Sequence, residues 1–248
     1  MSADGRKVAV ITPYCKESGE MVRRCIDSVK AQTHRNTVHY LVADGFPNSA
    51  VNERDPAIKH IRLPVSHGDN GNTPRGVGAI CALNEGAEVI CFLDADNRFL
   101  PEHVSDAVGL LSAERLDVAF SYRHIYPPGH EDLRLVAEED LQRIHVDTSC
   151  ISMAKTAAFL LPAWAMMPRA LSPICDRIYY SLIKTHGLKC GWTGRFTVLF
   201  EGNYSIFYWK AGLPVPSTVH DPDIERIKLA YSAEECFDRL RSHLSLKL

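Results

Sequence analysis

A short apolar run, Val89-Ile90-Cys91-Phe92-Leu93, breaks off at Asp94-Ala95-Asp96-Asn97, and this junction constrains the fold more than any other stretch. Consecutive apolar residues, β-branched and aromatic among them, predict a strand buried on both faces, the habit of a parallel sheet covered by helices. In open α/β sheets, ligands gather in the crevice beyond the carboxyl ends of the strands. Side chains at i and i+2 of a strand share a face, so Asp94 and Asp96 are expected to look into one site. Two hard oxygen donors there suit Mg2+ or Mn2+, cations that keep water and share phosphate oxygens. An EF-hand loop opening at Asp94 is excluded: Arg98, Phe99 and Ser105 stand where an oxygen ligand, Gly and Glu are needed. A polar turn closing a strand is the plain alternative, since Asp and Asn are ordinary turn residues.

The preceding sequence has the same punctuation. Lys7–Thr12 predicts a first buried strand closed by Pro13. A helix follows, with Met21, Val22, Cys25, Ile26 and Val29 on one face. Val38–Ala43 predicts a second strand ending at Asp44-Gly45, and the alternating Ile58–Leu63 an edge strand. A Gly- and Asn-rich loop, His67–Pro74, leads into a helix over Arg75–Asn84 and then into Val89–Leu93. Strands alternating with helices mean a parallel sheet with right-handed crossovers, and two of its strands end in an aspartate.

Beyond Asp96 the pattern loosens. Pro101 suits the first turn of a helix with Val104, Ala107, Val108 and Leu111 inward. Val118–Tyr126 predicts a strand and Met153–Leu161 a short helix. Ala163–Pro173 reads as a loop whose Trp164, Met166 and Met167 are better suited to the core than to stacking on a ligand, as is Trp192. Ile174–Thr185 predicts a helix with Asp176 in its first turn, and two short strands are expected near Lys189–Thr193 and Tyr204–Trp209. Asp147 and Thr148, after a strand-like piece, are weak candidates for a polar binding site. His220 falls in a loop of Pro and Asp, and Ser232-x-x-Glu235 is a capping box opening an amphipathic helix. With no repeats and no low-complexity linker, one domain over 1–220 is expected, in halves of about 6–105 and 106–220, with a helical tail over 221–248.

A net charge of −2 argues against a broad nucleic-acid surface. No apolar run approaches the roughly 20 residues that span a bilayer, and the N-terminus has no signal-peptide core. The cysteines are scattered, with no C-x-x-C pair, and read as reduced core residues of a cytoplasmic protein.

With these pieces placed, the chain resembles the family 2 glycosyltransferases of the GT-A fold. The matching residues are Ile11-Thr12-Pro13-Tyr14, Val42-Ala43-Asp44-Gly45, Asn70-Gly71 through Arg75, and Phe92-Leu93-Asp94-Ala95-Asp96-Asn97, specific as a set and weak singly. The resemblance implies a Rossmann-like α/β fold: a mixed, mostly parallel central sheet flanked by helices, with a smaller acceptor-side half. It implies metal-dependent, inverting transfer of one sugar from a nucleoside diphosphate, with UDP the expected nucleotide, to a hydroxyl of a glycan, lipid-linked or small-molecule acceptor. Thr12, Pro13 and Tyr14 would then lie on the base, and Asp44 would accept hydrogen bonds from a uracil or ribose edge. Arg75 would reach the base or diphosphate, as a permanently charged fork donor can. Asp94 would hold the ribose or sugar beside Ala95. Asp96 would ligate Mn2+ or Mg2+, with His220 completing the metal shell, and Asp176 would be the base that deprotonates the acceptor.

Each residue also has a structural alternative: a turn-forming Asp44, a solvated Arg75, an Asp176 that favours a helix N-terminus. Departures from the family pattern are Cys15-Lys16-Glu17 after Tyr14, Cys175 where Glu often precedes the base, and the absence of a processive synthase's Gln-x-x-Arg-Trp. The amphipathic tail leaves peripheral membrane contact open. Two rivals are a catalytically silent nucleotide-sugar-binding protein and a nucleotidyltransferase, although Pro13–Gly19 lacks the latter's Gly- and Lys-rich phosphate loop.

Overall fold

The computed structural model describes residues 5–219, 221–223, 225, 227 and 229. Strand β1 (Val8–Tyr14) is buried along its whole length, and the nucleotide-side sheet is laid out around it. It pairs in parallel with β2 (Thr37–Asp44) on one side and β4 (Val89–Phe92) on the other, and β3 (Ile58–Leu63) adds the expected edge. Helix α1 (Gly19–Lys30) places Val22 and Ile26 against Tyr14, Leu41 and Ala43 on one face. Its N-cap Ser18 accepts from Met21 N at 3.1 Å, an interaction that typically contributes about 1 kcal/mol. Helix α2 (Asn72–Asn84) covers the opposite face, where Gly78 lets the backbone come close: a Cβ there would stand 2.7 Å from Val42 Cγ2 and 2.8 Å from Ile11 Cγ2.

The second half extends the same sheet with antiparallel pairings. After β5 (Arg98–Phe99) and α3 (His103–Ala113), β6 (Val118–Tyr126) forms as expected. A short α4 (Glu138–Leu141) precedes β7 (Ile151–Ala154), which lies antiparallel between β4 and β6. The long β8 (Cys190–Glu201) runs parallel to β6 and antiparallel to β5, so the described residues form an eight-stranded sheet in the order β3-β2-β1-β4-β7-β6-β8-β5. Helices α5 (Pro162–Met166) and α6 (Cys175–Thr185) pack together over α2 and β4. Tyr179 of α6 stacks on Trp164 of α5 at 3.9 Å and meets Phe92 of β4 edge-on at 6.4 Å. Each such pair adds about 1 kcal/mol beyond its burial, and together they fix the start of α6 beside the end of β4.

Several expectations change. β1 runs on through Pro13 because β4 stops opposite Ile11, so Pro13 faces no strand on that side and its missing N–H costs nothing. Helix α2 begins at Asn72, three residues before Arg75, because Gly71 takes φ 78° and Asp69 receives the Thr73 amide at 2.9 Å. Met153–Leu161 is the end of β7 followed by a 3-10 turn, and the expected loop at 163–173 is mostly helical. Tyr204–Trp209 is not a strand but falls largely within helix α7 (Ser205–Lys210). No helix among the described residues is long and apolar enough to cross a membrane. The capping box at Ser232 and the amphipathic tail lie outside the described residues.

Candidate active site

The register between β1 and β4 ends at Ile11 and Phe92, while β1 continues beside β2 to Tyr14. The resulting gap opens a cavity of about 860 Å3 at the carboxyl edge of the strands, on the nucleotide side lined by Pro13, Tyr14, Asp44, Arg75 and the Asp94–Asp96 segment. Asp147, His145 and Asp176 line the other side, with Tyr204, Ile206 and Trp209 at its margin.

The paired aspartates do not sit on a strand. β4 ends at Phe92, and Asp94–Asn97 forms a turn closed by Asn97 N donating to Asp94 O at 2.9 Å. The strand-spacing premise therefore fails, although both Asp94 and Asp96 line the one cavity, brought there by the turn. Asp94 Oδ1 accepts from Arg75 at 2.6 Å, and Ser149 Oγ receives both the Asp94 amide and the Asn97 side chain, at 3.2 and 2.9 Å. Asp96 is half-buried, and no Lys or Arg among the described residues pairs with it. Burial first, and then the charges of Asp94, Asp147 and Glu201, push its carboxyl well above the usual carboxylate range. That surplus of negative charge is a fit for a cation. Among the described residues, no group of three or more His, Cys, Asp or Glu gathers closely enough to hold one alone. A divalent ion here would take its remaining ligands from a diphosphate and water, as Mg2+ commonly does. His220 lies outside the described residues.

Arg75 is not a solvated charge. Only 2% exposed, it lies over the Trp164 ring at 4.7 Å and donates to Asn72 Oδ1 at 3.0 Å as well as to Asp94. Asp44, equally buried, is not a free acceptor: its oxygens take Ser66 Oγ at 3.1 Å, the His67 amide at 2.9 Å and His67 Nδ1 at 2.6 Å, pinning the loop that forms one cavity wall. Thr12 is turned into the core, where its hydroxyl meets His39 Nε2 at 2.8 Å, so it does not line the cavity. Tyr14 lines the wall with its hydroxyl held by Asn48 N and His60 Nε2. Ala95 is buried at the turn, against the cluster that contains Tyr14. Trp164 is core, as its size and setting suggested.

Asp176, the second residue of α6, belongs to a buried ionic chain absent from the sequence reading. His145 Nε2 lies 2.7 Å from Asp176 Oδ2, and His145 Nδ1 lies 2.8 Å from Asp140 Oδ1. Arg123, on β6, donates to Asp140 and to Asp147, each at 2.8 Å. Burial alone would raise the Asp176 carboxyl, but the hydrogen bond and charge of His145 outweigh it and hold it below the usual range. Asp147 goes the other way: burial, with help from Asp94 and Asp176 and against the pull of Arg123, pushes it up to about 6. The one sequence signal for this chain is Arg123, a permanent charge inside a largely apolar and aromatic strand, where a buried cation requires anions.

The fold is that of the GT-A glycosyltransferases, a class built on a nucleotide-binding half-sheet joined to an acceptor half. The chain belongs to glycosyl transferase family 2, whose model matches residues 9–148. It is similar in structure to Staphylococcus aureus TarS 1-349 in complex with UDP-GlcNAc, with a TM-score of 0.64 at 16% identity over 98% of this chain and 76% of that one. TarS 1-349 in complex with UDP gives 0.61 at 13%, covering 97% and 72%. A longer TarS structure gives 0.62 at 15%, and the chain spans 46% of its length. No curated protein matches the chain in sequence.

Proposed function

We propose that this chain is a metal-dependent, inverting glycosyltransferase that moves one sugar from a UDP donor to a hydroxyl of a glycan, lipid-linked or small-molecule acceptor. The observation that carries this is the meeting, on one cavity, of an uncompensated carboxyl at Asp96 and an ionised one at Asp176. The TarS complex with UDP-GlcNAc supports a uridine nucleotide sugar as the first donor to try.

Pro13 and Tyr14 form the wall for the base, with Asp44 and its loop beside them. Arg75 holds Asp94 in place, and Asp94 takes a sugar or ribose hydroxyl on its remaining oxygen. Asp96, with His220 as a further ligand, would hold Mn2+ or Mg2+, which would supply Lewis-acid stabilisation of the departing diphosphate. Asp176 accepts the proton of the acceptor hydroxyl. The hydroxyl oxygen bonds to the anomeric carbon as the carbon–oxygen bond to the β-phosphate breaks, and that electron pair leaves with UDP. Attack opposite the leaving group inverts the centre. The described cysteines are all free thiols, in keeping with work in the cytoplasm.

A thermal-shift titration with UDP-GlcNAc tests the donor and metal assignments. The nucleotide sugar should raise Tm with Mn2+ and much less without it, and Asp96→Asn should lose the metal-dependent part. Equal shifts with and without Mn2+ in the native chain would refute the metal role. An NMR spectrum of the product with retained anomeric configuration would remove Asp176 as base.

A further inference from the structure

Asp176 is not a lone carboxylate. His145 stands between it and Asp140, bridging α6 to α4, with a side chain only 7% exposed and ring nitrogens 2.7 and 2.8 Å from the two acids. A neutral imidazole has one N–H and can donate to only one of them; the doubly protonated ring satisfies both. The charged groups facing it are Asp140 on α4, Asp176 on α6, Arg123 on β6 with a guanidinium nitrogen 3.3 Å from Nδ1, and Asp147 on its own segment. Arg123 is itself shared between Asp140 and Asp147, so anions dominate the setting. Burial alone would lower the imidazole, but its two carboxylate partners outweigh that and bring it up to about 9.

From this geometry we infer that His145 is a positioning residue for transfer: an imidazolium, anchored by Asp140, that fixes the Asp176 carboxylate in one orientation and keeps it ionised. The inference rests on the base role proposed above for Asp176. It assigns His145 no proton from substrate. The acceptor's proton goes to Asp176, and the ring's two N–H bonds are already committed.

Long-range 1H–15N spectra of the 15N-histidine-labelled chain test the charge state without any donor. The His145 resonances, assigned by their loss in His145→Asn, should report both ring nitrogens protonated at neutral pH. Asp140→Asn and Asp176→Asn should each lower the titration midpoint by about one unit or more. Hydrolysis of UDP-GlcNAc with Mn2+, water standing in for the acceptor, tests the role. His145→Asn should lower kcat about tenfold or more, leave KM within about twofold, and move the acidic limb of the pH profile about one unit upward. Should His145→Asn fail to fold, Asp140→Asn serves for the same kinetic comparison. A neutral ring at pH 7, or a variant with native kcat and native acidic limb, would overturn the inference. If Asp176→Asn hydrolyses the donor at the native rate while the spectra hold, it is the base role that has failed.

Discussion

The two aspartates of Asp94-Ala95-Asp96 should respond to the same isosteric substitution with opposite changes in stability. Asp94 compensates Arg75, which is 2% exposed and has no other carboxylate within ion-pair distance among the described residues. Breaking a buried pair from one side costs about 3–5 kcal/mol, because the surviving charge is left without its counter-ion. Asp94 is itself 32% exposed and Asn retains an acceptor oxygen, so Asp94→Asn should cost roughly 2 kcal/mol, a fall in Tm of about 4–8 °C. Asp96 is in the reverse position: burial first, and then the charges of Asp94, Asp147 and Glu201, oppose its ionised form in the folded protein. A carboxyl whose folded-state pKa lies above its unfolded value binds more protons when folded, so stability falls as pH rises from about 3.8 through the folded pKa. Removing that carboxyl should therefore stabilise at neutral pH, with the gain shrinking towards pH 4. Thermal unfolding at pH 7 with EDTA, followed by circular dichroism, reads both variants directly. Added Mn2+ with UDP-GlcNAc should then drop Asp96→Asn below the native chain, because in the proposed site it has lost the metal ligand, while Asp94→Asn stays below it. Shifts of the same sign and similar size in EDTA would refute the reasoning, since they would mean that Asp96 has a cationic partner in the folded protein.

Two further outcomes are expected. Gly78→Ala places a methyl 2.7 Å from Val42 Cγ2 and 2.8 Å from Ile11 Cγ2, and should cost about 1–3 kcal/mol in urea unfolding; Gly109→Ala, inside helix α3 with nothing within 4 Å, is the clash-free control and should gain about 0.5–1 kcal/mol. His39 and His103 are buried neutral, with burial bringing each down to about 3, so the unfolded chain binds more protons below about pH 6.5. Stability should fall there with a slope of up to about 1.4 kcal/mol per pH unit for each ring, and His39→Gln should flatten it in a pH series of urea midpoints.

What the sequence made legible, and what it hid, separates along the range of the forces involved. Strands β1 to β4 and helix α1 are specified locally: apolar runs, an N-cap serine and turn residues act within one element, and each can be read where it stands. Even there, the errors were at ends. A proline inside a central strand is costly, so Pro13 reads as a stop, yet whether it is inside depends on where β4 finishes, a fact about a segment some eighty residues away. The turn at Asp94–Asn97 has the same character. An i, i+2 pair shares a face only while the chain stays extended, and the chain leaves β4 at Phe92 because Ser149 and Asn97 offer its backbone other partners.

The ionic chain is the extreme case. Arg123, Asp140, His145, Asp147 and Asp176 come from a strand, two helices and the connection before β7. No two of them are spaced as a motif, and their charges are tolerable only together. Arg123 alone gave warning, because a cation in a strand whose positions 118, 119, 120, 125 and 126 are apolar or aromatic must either be solvated or be neutralised from elsewhere in the sequence. This division also explains why the first wall of the cavity is more readable than the second. Its residues follow strand ends that one sheet topology fixes, so they recur at regular places along the chain. The second wall depends on how later elements pack over those ends: here Tyr179 stacks on Trp164 and meets Phe92 edge-on, and that packing brings Asp176 to the cavity. Loosening the stack with Tyr179→Leu, which leaves Trp164 in place beneath Arg75, should therefore impair Asp176 more than donor binding, lowering kcat for donor hydrolysis while leaving the UDP-GlcNAc thermal shift in Mn2+ near its native size. Equal losses in both would mean that the aromatic stack supports the whole cavity and does not selectively place the acceptor half.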